Sequence, residues 1–233
     1  MVPGLPHLVL LQGHDGTAVL RDGDDARLLL QTLQALASDR AIELHGFLAQ
    51  ASALWLLLTP REAPTLSSAV QWLGRRYVAA FNRRHGRSGT LWAGRFRAAV
   101  LQPGPATLLA LQHLDALAGQ PGAVLGSATS RTGEGGTSGP GLWLRQPQEY
   151  WGLGNTPFER EQAWRQRLDE PIPPQELDRL AAALRSGRAY GEAPWVAELS
   201  RQLQRPLLAR RAGRPRKSMD VASTVSPLTK NHG

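Results

Sequence analysis

The stretch QASALWLLLTP, residues 50 to 60, decides the fold. Leu54, Leu56 and Leu58 alternate with Ala53, Trp55, Leu57 and Thr59, the period of two that places successive side chains on opposite faces of a strand. Pro60 ends it. The stretch reads as a half-buried strand running into a proline stop. Working outward, AIELHGFLAQ at 41–50 precedes it as a partner strand, and HLVLLQG at 7–13 reads as a first strand closing in a Gly-His-Asp-Gly turn. Between these strands, DDARLLLQTLQALASD spaces leucines at 28, 29, 33 and 36 as a helix does, with Asp24 and Asp25 at its positive N-terminal end.

After the proline a second helix is expected from Thr65 to about Asn82, with Leu66, Val70, Leu73, Tyr77 and Phe81 as its buried stripe. FRAAVLQ then reads as a strand broken by Pro103, and ATLLALQHLDALAG as a helix ending near Gly119. The order strand, helix, two strands, helix, strand, helix points to an α+β protein. Its simplest form is a ferredoxin-like antiparallel sheet with helices on one face. This core is expected over residues 1–125, and the Gly/Ser/Thr stretch at 126–141 as a flexible linker. A small helical C-terminal module is expected over 142–208, with helix starts at Thr156-Pro157, Pro173-Pro174 and Pro194. A basic arm and disordered tail make up 209–233.

The 233-residue chain carries a formal charge of +8, and its basic residues are nearly all arginine, Lys217 and Lys230 being its lysines. Guanidinium groups match phosphate geometry, so the composition favours a polyanionic partner over a merely solvated basic surface. There is no cysteine, which excludes disulfides, zinc ribbons and thiol nucleophiles. The N-terminus makes a poor secretory signal and no apolar run reaches the roughly 18 residues of a membrane span, so the expected location is the cytoplasm.

The densest chemical signal is RRYVAAFNRRHGRSGTLWAGRFRA, 75–98. It holds Arg75, Arg76, Arg83, Arg84, His85, Arg87, Arg95 and Arg97 interleaved with aromatics, a pattern suited to phosphates and unpaired bases. Tyr77 and Phe81 fall on the buried stripe, leaving Trp92 as the expected stacking face. A second basic element, Gly213-Arg214-Pro215-Arg216-Lys217, has the form of an extended arm for a narrow minor groove, with a solvated tail as its alternative.

Within that signal, FNRRHGRSGTLWAGRFRA at 81–98 closely resembles the signature loop of the REP-associated tyrosine transposases, a branch of the single-tyrosine HUH transposases. HLVLLQG, AVLRDGDDARLLLQTL, LHGFLAQASALWLLLTP, YWGLGNTPFEREQAWRQRL and GRPRK resemble other segments of that family in register. The resemblance implies a ferredoxin-like core that binds hairpin single-stranded DNA of repetitive palindromic elements, a divalent metal such as magnesium or manganese, and a tyrosine nucleophile; it also allows a homodimer. Yet the family's two metal-binding histidines fall on Ala53 and Trp55, its amide ligand on Leu117, its tyrosine on His113 and an arginine of its first strand on Gln12. None of the first three can hold a metal. The expectation is therefore a DNA-binding protein without a metal cofactor, whose strand cleavage is lost. An active transposase with a remodelled site and a non-enzymatic RNA-binding scaffold are the alternatives.

Overall fold

The computed structural model describes residues 2–38, 41–63, 65–127 and 143–207. Arg214, Arg216 and Lys217 of the basic arm, and most of the 126–141 linker, lie outside the described residues.

Strand β1 spans His7–Gln12 and closes at Gly13, where a Cβ would stand 2.1 Å from the Thr17 carbonyl oxygen, so no larger residue fits. Helix α1, Gly23–Ala37, is capped by Asp22, whose carboxylate accepts from the amides of Asp24 and Asp25. Strands β2, Ile42–Gln50, and β3, Ala53–Pro60, form a hairpin bulged between Leu44 and Gly46. At the bulge His45 turns its ring to the Arg145 carbonyl and the Thr59 hydroxyl, which satisfies both nitrogens. Helix α2 runs Thr65–Arg84, β4 Arg97–Leu101 and α3 Pro105–Ala118.

With two short edge strands, β5 at Ala123–Gly126 and β6 at Ala189–Tyr190, the sheet order is β5-β2-β3-β1-β4-β6. Its inner four strands, β2-β3-β1-β4, are antiparallel neighbours connected as two interleaved strand-helix-strand units, the ferredoxin-like arrangement. The α+β class thus stands, and the seven elements fall in the expected order. The edge strands β5, Ala123–Gly126, and β6, Ala189–Tyr190, are additions that the sequence did not suggest, being only 4 and 2 residues long. Gly126 and Ser127 are not linker but part of the sheet edge, because the Ser127 hydroxyl and amide both bond the backbone of Phe47.

The structure adds a layer to this expectation. Helices α1 and α2 do cover one face, packing Leu33, Leu36, Leu73 and Phe81 against Leu54, Leu56 and Leu58. The other face is not open. There α3 joins the C-terminal helices over Leu8, Leu10, Leu57 and Ala99. Those helices are α4, Gln148–Trp151; α5, Pro157–Asp169; and α6, Pro174–Ser186, while α7, Ala193–Gln202, buries Val196 and Leu199 against Val100 in a separate cluster. The physical reason is the alternation in β3: with Ala53 and Leu57 apolar on its second face, that face requires cover of its own.

The C-terminal segment carries its expected helix starts, including a Thr156–Glu159 capping box. It shares its core with the sheet. Trp164, Leu180, Leu184 and Tyr190 belong to one buried cluster with β1 and α3, and the Trp164 indole donates to the buried Asp115 carboxylate at 3.0 Å. Gln112 of α3 donates to the carbonyls of Arg167 and Glu170, which fixes the end of α5.

Candidate nucleic-acid interface

Helix α2 supplies the first arginines because its buried stripe, Leu66, Val70, Leu73, Tyr77 and Phe81, falls as the spacing predicts and turns Arg75, Arg76 and Arg83 outward. The helix ends through Gly86 at φ 59°, a left-handed conformation that costs glycine little, with the Arg87 amide donating to the Asn82 carbonyl. The following loop is pinned to the end of β1. Leu91 is fully buried, its carbonyl accepts from the His14 amide, and the Ala93 amide donates to the Gln12 carbonyl. With Leu91 and Trp92 drawn inward, Arg95 and Arg97 are left on the outside.

Between α2 and this loop lies a groove of about 460 Å³, lined by Gln12, Gln71, Gly74 and Phe96 with Arg75, Arg95 and Arg97 among its walls. Those three guanidinium groups lie exposed along one concavity, and Arg76 stacks on the Trp72 ring at 5.4 Å nearby. Such a surface suits a backbone of repeated phosphates.

The rest of the sequence-expected set divides differently. Arg84 is held by three carboxylates: Nη1 donates to Asp22 and Asp25 at 2.7 Å each, and Nη2 to Asp24 at 2.9 Å. His85 Nε2 lies 2.9 Å from both oxygens of the fully buried Asp25. Both residues therefore tie the end of α2 to the start of α1, and the Arg84 charge is met by carboxylates although the residue stays at the surface. The Arg84 hydrogen bond also holds the Asp22 carboxyl below its usual range. Asp22, Asp25 and His85 bring their ligand atoms within 4.8 Å of one another, but the Arg84 guanidinium already supplies the positive charge there.

Trp92 is a second correction. Expected as an open stacking face, it is only 9% exposed and tilts against Tyr77 at 6.3 Å between centroids. Its bridge to Gly13 at the end of β1 pins the loop there and draws the indole in with Leu91 as part of the first-face core. Arg87 is half-buried over the Phe81 ring at 5.8 Å.

Ala53, Trp55, His113 and Leu117, singled out in the sequence, lie on the opposite face. Ala53 is buried, and Trp55 meets His113 in perpendicular ring contact, with centroids 6.0 Å apart. The Trp55 indole donates to Gln50 at 3.2 Å. A cavity of about 190 Å³ opens there between Trp55, His113, Arg97 and the α6 residues Leu177, Leu180 and Arg185. Burial pushes the His113 imidazole toward its neutral form. Leu117 packs at the margin of the same cluster. Sequence reasoning missed Arg185, since nothing in its segment marks it as facing a site begun 130 residues earlier at Trp55.

No family model matches this sequence, and no curated protein matches it. Among solved structures, the chain is similar to a REP-associated tyrosine transposase bound to a REP hairpin, with 12% identity and a TM-score of 0.43 over 50% of this chain and 68% of that one. It is also similar to a bacterial tRNA(His) guanylyltransferase (Thg1)-like protein in complex with GTP, with 16% identity and a TM-score of 0.36 over 52% of this chain and 64% of that one. Likenesses this partial leave function to the residues themselves. Among the described residues, no helix is long and apolar enough to cross a membrane.

Proposed function

We propose that this chain is a transposase-like DNA-binding protein that holds structured single-stranded DNA, hairpins of repetitive palindromic elements above all, and no longer cuts it. One observation carries the reading: Arg75, Arg95 and Arg97 line a single groove, with Arg76 and Arg83 exposed on the same helix. The resemblance of residues 81–98 to the transposase signature loop supports the choice of DNA. The replacement of metal ligands and nucleophile by Ala53, Trp55, Leu117 and His113 supports the loss of cleavage, because an alkyl group and an indole cannot hold a cation. In this reading the basic arm with Arg214, Arg216 and Lys217 adds affinity that is less dependent on hairpin shape, the protein works in the cytoplasm as a monomer or homodimer, and it needs no metal.

Fluorescence anisotropy with labelled hairpin, duplex and RNA hairpin oligonucleotides tests it. Preference for the DNA hairpin is expected, and equal or tighter binding of RNA would shift the reading to an RNA-binding scaffold. One observation favours the other alternative, an active enzyme with a remodelled site: Arg97 and Arg185 line the same cavity as His113, where guanidinium charge could stand in for a cation. Incubating end-labelled hairpin with magnesium or manganese decides between the two, and specific cleavage lost in His113→Ala would establish the enzyme.

A further inference from the structure

The cavity bounded by Trp55, His113 and α6 has two unlike halves. Inside, it is hydrocarbon: Leu8 and Leu10 of β1 and Leu180 and Leu184 of α6 line it and are themselves buried. At its mouth it is cationic. Arg97 and Arg185 lie exposed there, with no carboxylate paired to either among the described residues. The His113 ring, perpendicular to Trp55 at 6.0 Å, likewise makes no hydrogen bond among the described residues. An inorganic anion gains nothing from four leucines, and a neutral hydrocarbon gains nothing from two guanidinium groups. The volume, about 190 Å³, compares with the roughly 150 Å³ of an apolar cavity that holds benzene. Both halves are satisfied together by one flat ring that carries one carboxylate.

We infer that this cavity binds a small aromatic monocarboxylate, its ring among the leucines and its carboxylate on Arg97, Arg185 and the His113 N–H. Arg97 and Leu10 are opposite one another in the β1–β4 register, and both also line the α2 groove. One guanidinium group cannot neutralise an anion in each place, so an occupied cavity weakens the hold of the groove on a phosphate. The site itself stands on its own residues, whereas this coupling rests on the nucleic-acid reading. Affinity for DNA is thereby lowered by an acid that touches no nucleotide.

The probe is benzoate, titrated into the full chain while the His113 ring signals are followed by NMR. They are expected to shift with a Kd of about 1 mM, the scale for so small a ligand. Benzamide, the ring without the charge, and inorganic phosphate, the charge without the ring, are each expected to bind about tenfold more weakly. Ala181→Leu, which fills the cavity from α6, is expected to lose the benzoate response while binding hairpin DNA as wild type does. Arg185→Ala, at the exposed mouth, is expected to weaken benzoate about tenfold. At constant ionic strength, saturating benzoate is expected to weaken hairpin binding about fivefold in wild type and not at all in Ala181→Leu. Unmoved His113 signals up to about 10 mM benzoate overturn the site. Phosphate binding as tight as benzoate overturns the ligand class, and an unaltered response in both variants overturns the placement. Hairpin affinity indifferent to benzoate, with His113 responding, overturns the coupling through Arg97. Failure to bind any hairpin at low salt overturns the nucleic-acid reading and the coupling with it, and the benzoate titration then decides the site alone.

Discussion

The Trp55 indole and the His113 imidazole stand at 88° to one another, one from β3 and the other from α3, and together they form one wall of the cavity between sheet and α6. Returning the family's residues by Ala53→His and Trp55→His would break this contact and place polar rings against Leu57 and Leu114 without partners. Trp55 is only partly buried, so the double variant is expected to lose about 2 kcal/mol in chemical denaturation. Hairpin cleavage is expected to stay absent. A double variant as stable as the parent would show that the indole is not structural here.

Metal affinity gives a second, independent reading of the same place. Calorimetric titration of the wild-type chain with manganese is expected to show no site of micromolar affinity, since Ala53, Trp55 and Leu117 offer no ligand atom. A stoichiometric site lost in Asp25→Asn would place the metal at the Asp22, Asp25 and His85 cluster instead.

Adjacent arginines should separate cleanly by experiment. Arg75→Ala, Arg95→Ala and Arg97→Ala together are expected to weaken hairpin binding and to flatten its dependence on log salt by about 0.7 for each phosphate no longer neutralised. Arg84→Ala is expected to do something else: to lower the thermal midpoint, because the fully buried Asp25 is deprived of a donor, while the salt slope holds. A salt slope that falls in Arg84→Ala and not in the triple variant would reverse the assignment.

Acid sensitivity is expected to centre on His7. Burial lowers its pKa from 6.5 to about 4, against the opposing pull of the Leu5 carbonyl. In the neutral ring Nδ1 donates to that carbonyl and Nε2 accepts from the Val2 amide, so an added proton would face a donor. The unfolded chain takes up this proton near pH 6.5 and the folded chain only near 4. The stability His7 contributes is therefore complete above pH 6.5 and is lost as pH falls to 4, by about 3 kcal/mol. Denaturation curves for wild type and His7→Gln should diverge in that window. Parallel curves would exclude His7 as the source.

Much of the fold was legible because its signals are local. The alternation of β3 assigns Leu54, Leu56 and Leu58 to one cluster and Ala53 and Leu57 to the other, as the structure places them. Helix α3 was not assignable to a face, since Leu108, Leu109, Leu111, Leu114 and Leu117 leave it apolar on most sides. Strand β6 has two residues and exists only because β4 is beside it. The site was legible as a basic segment but not residue by residue. Arg83 and Arg84 are chemically identical neighbours, and what separates them is a carboxylate cluster some 60 residues away in sequence. Trp92 was misread for a similar reason, since whether an indole points inward is decided by where its loop is pinned.

The shared second-face cluster also has a consequence for how the protein comes into being. Trp164 follows Leu101, the end of β4, by 63 residues, and it must still arrive before that side of the sheet is closed. At synthesis rates of about 5 to 20 residues per second, the nascent chain carries a finished hydrogen-bonded ladder with one oily flank uncovered for on the order of ten seconds. Contacts so distant in sequence also form slowly once the chain is free. The ribosome-bound intermediate, more than the mature molecule, is then the species exposed to aggregation, and a substitution at Trp164 would act by prolonging that interval.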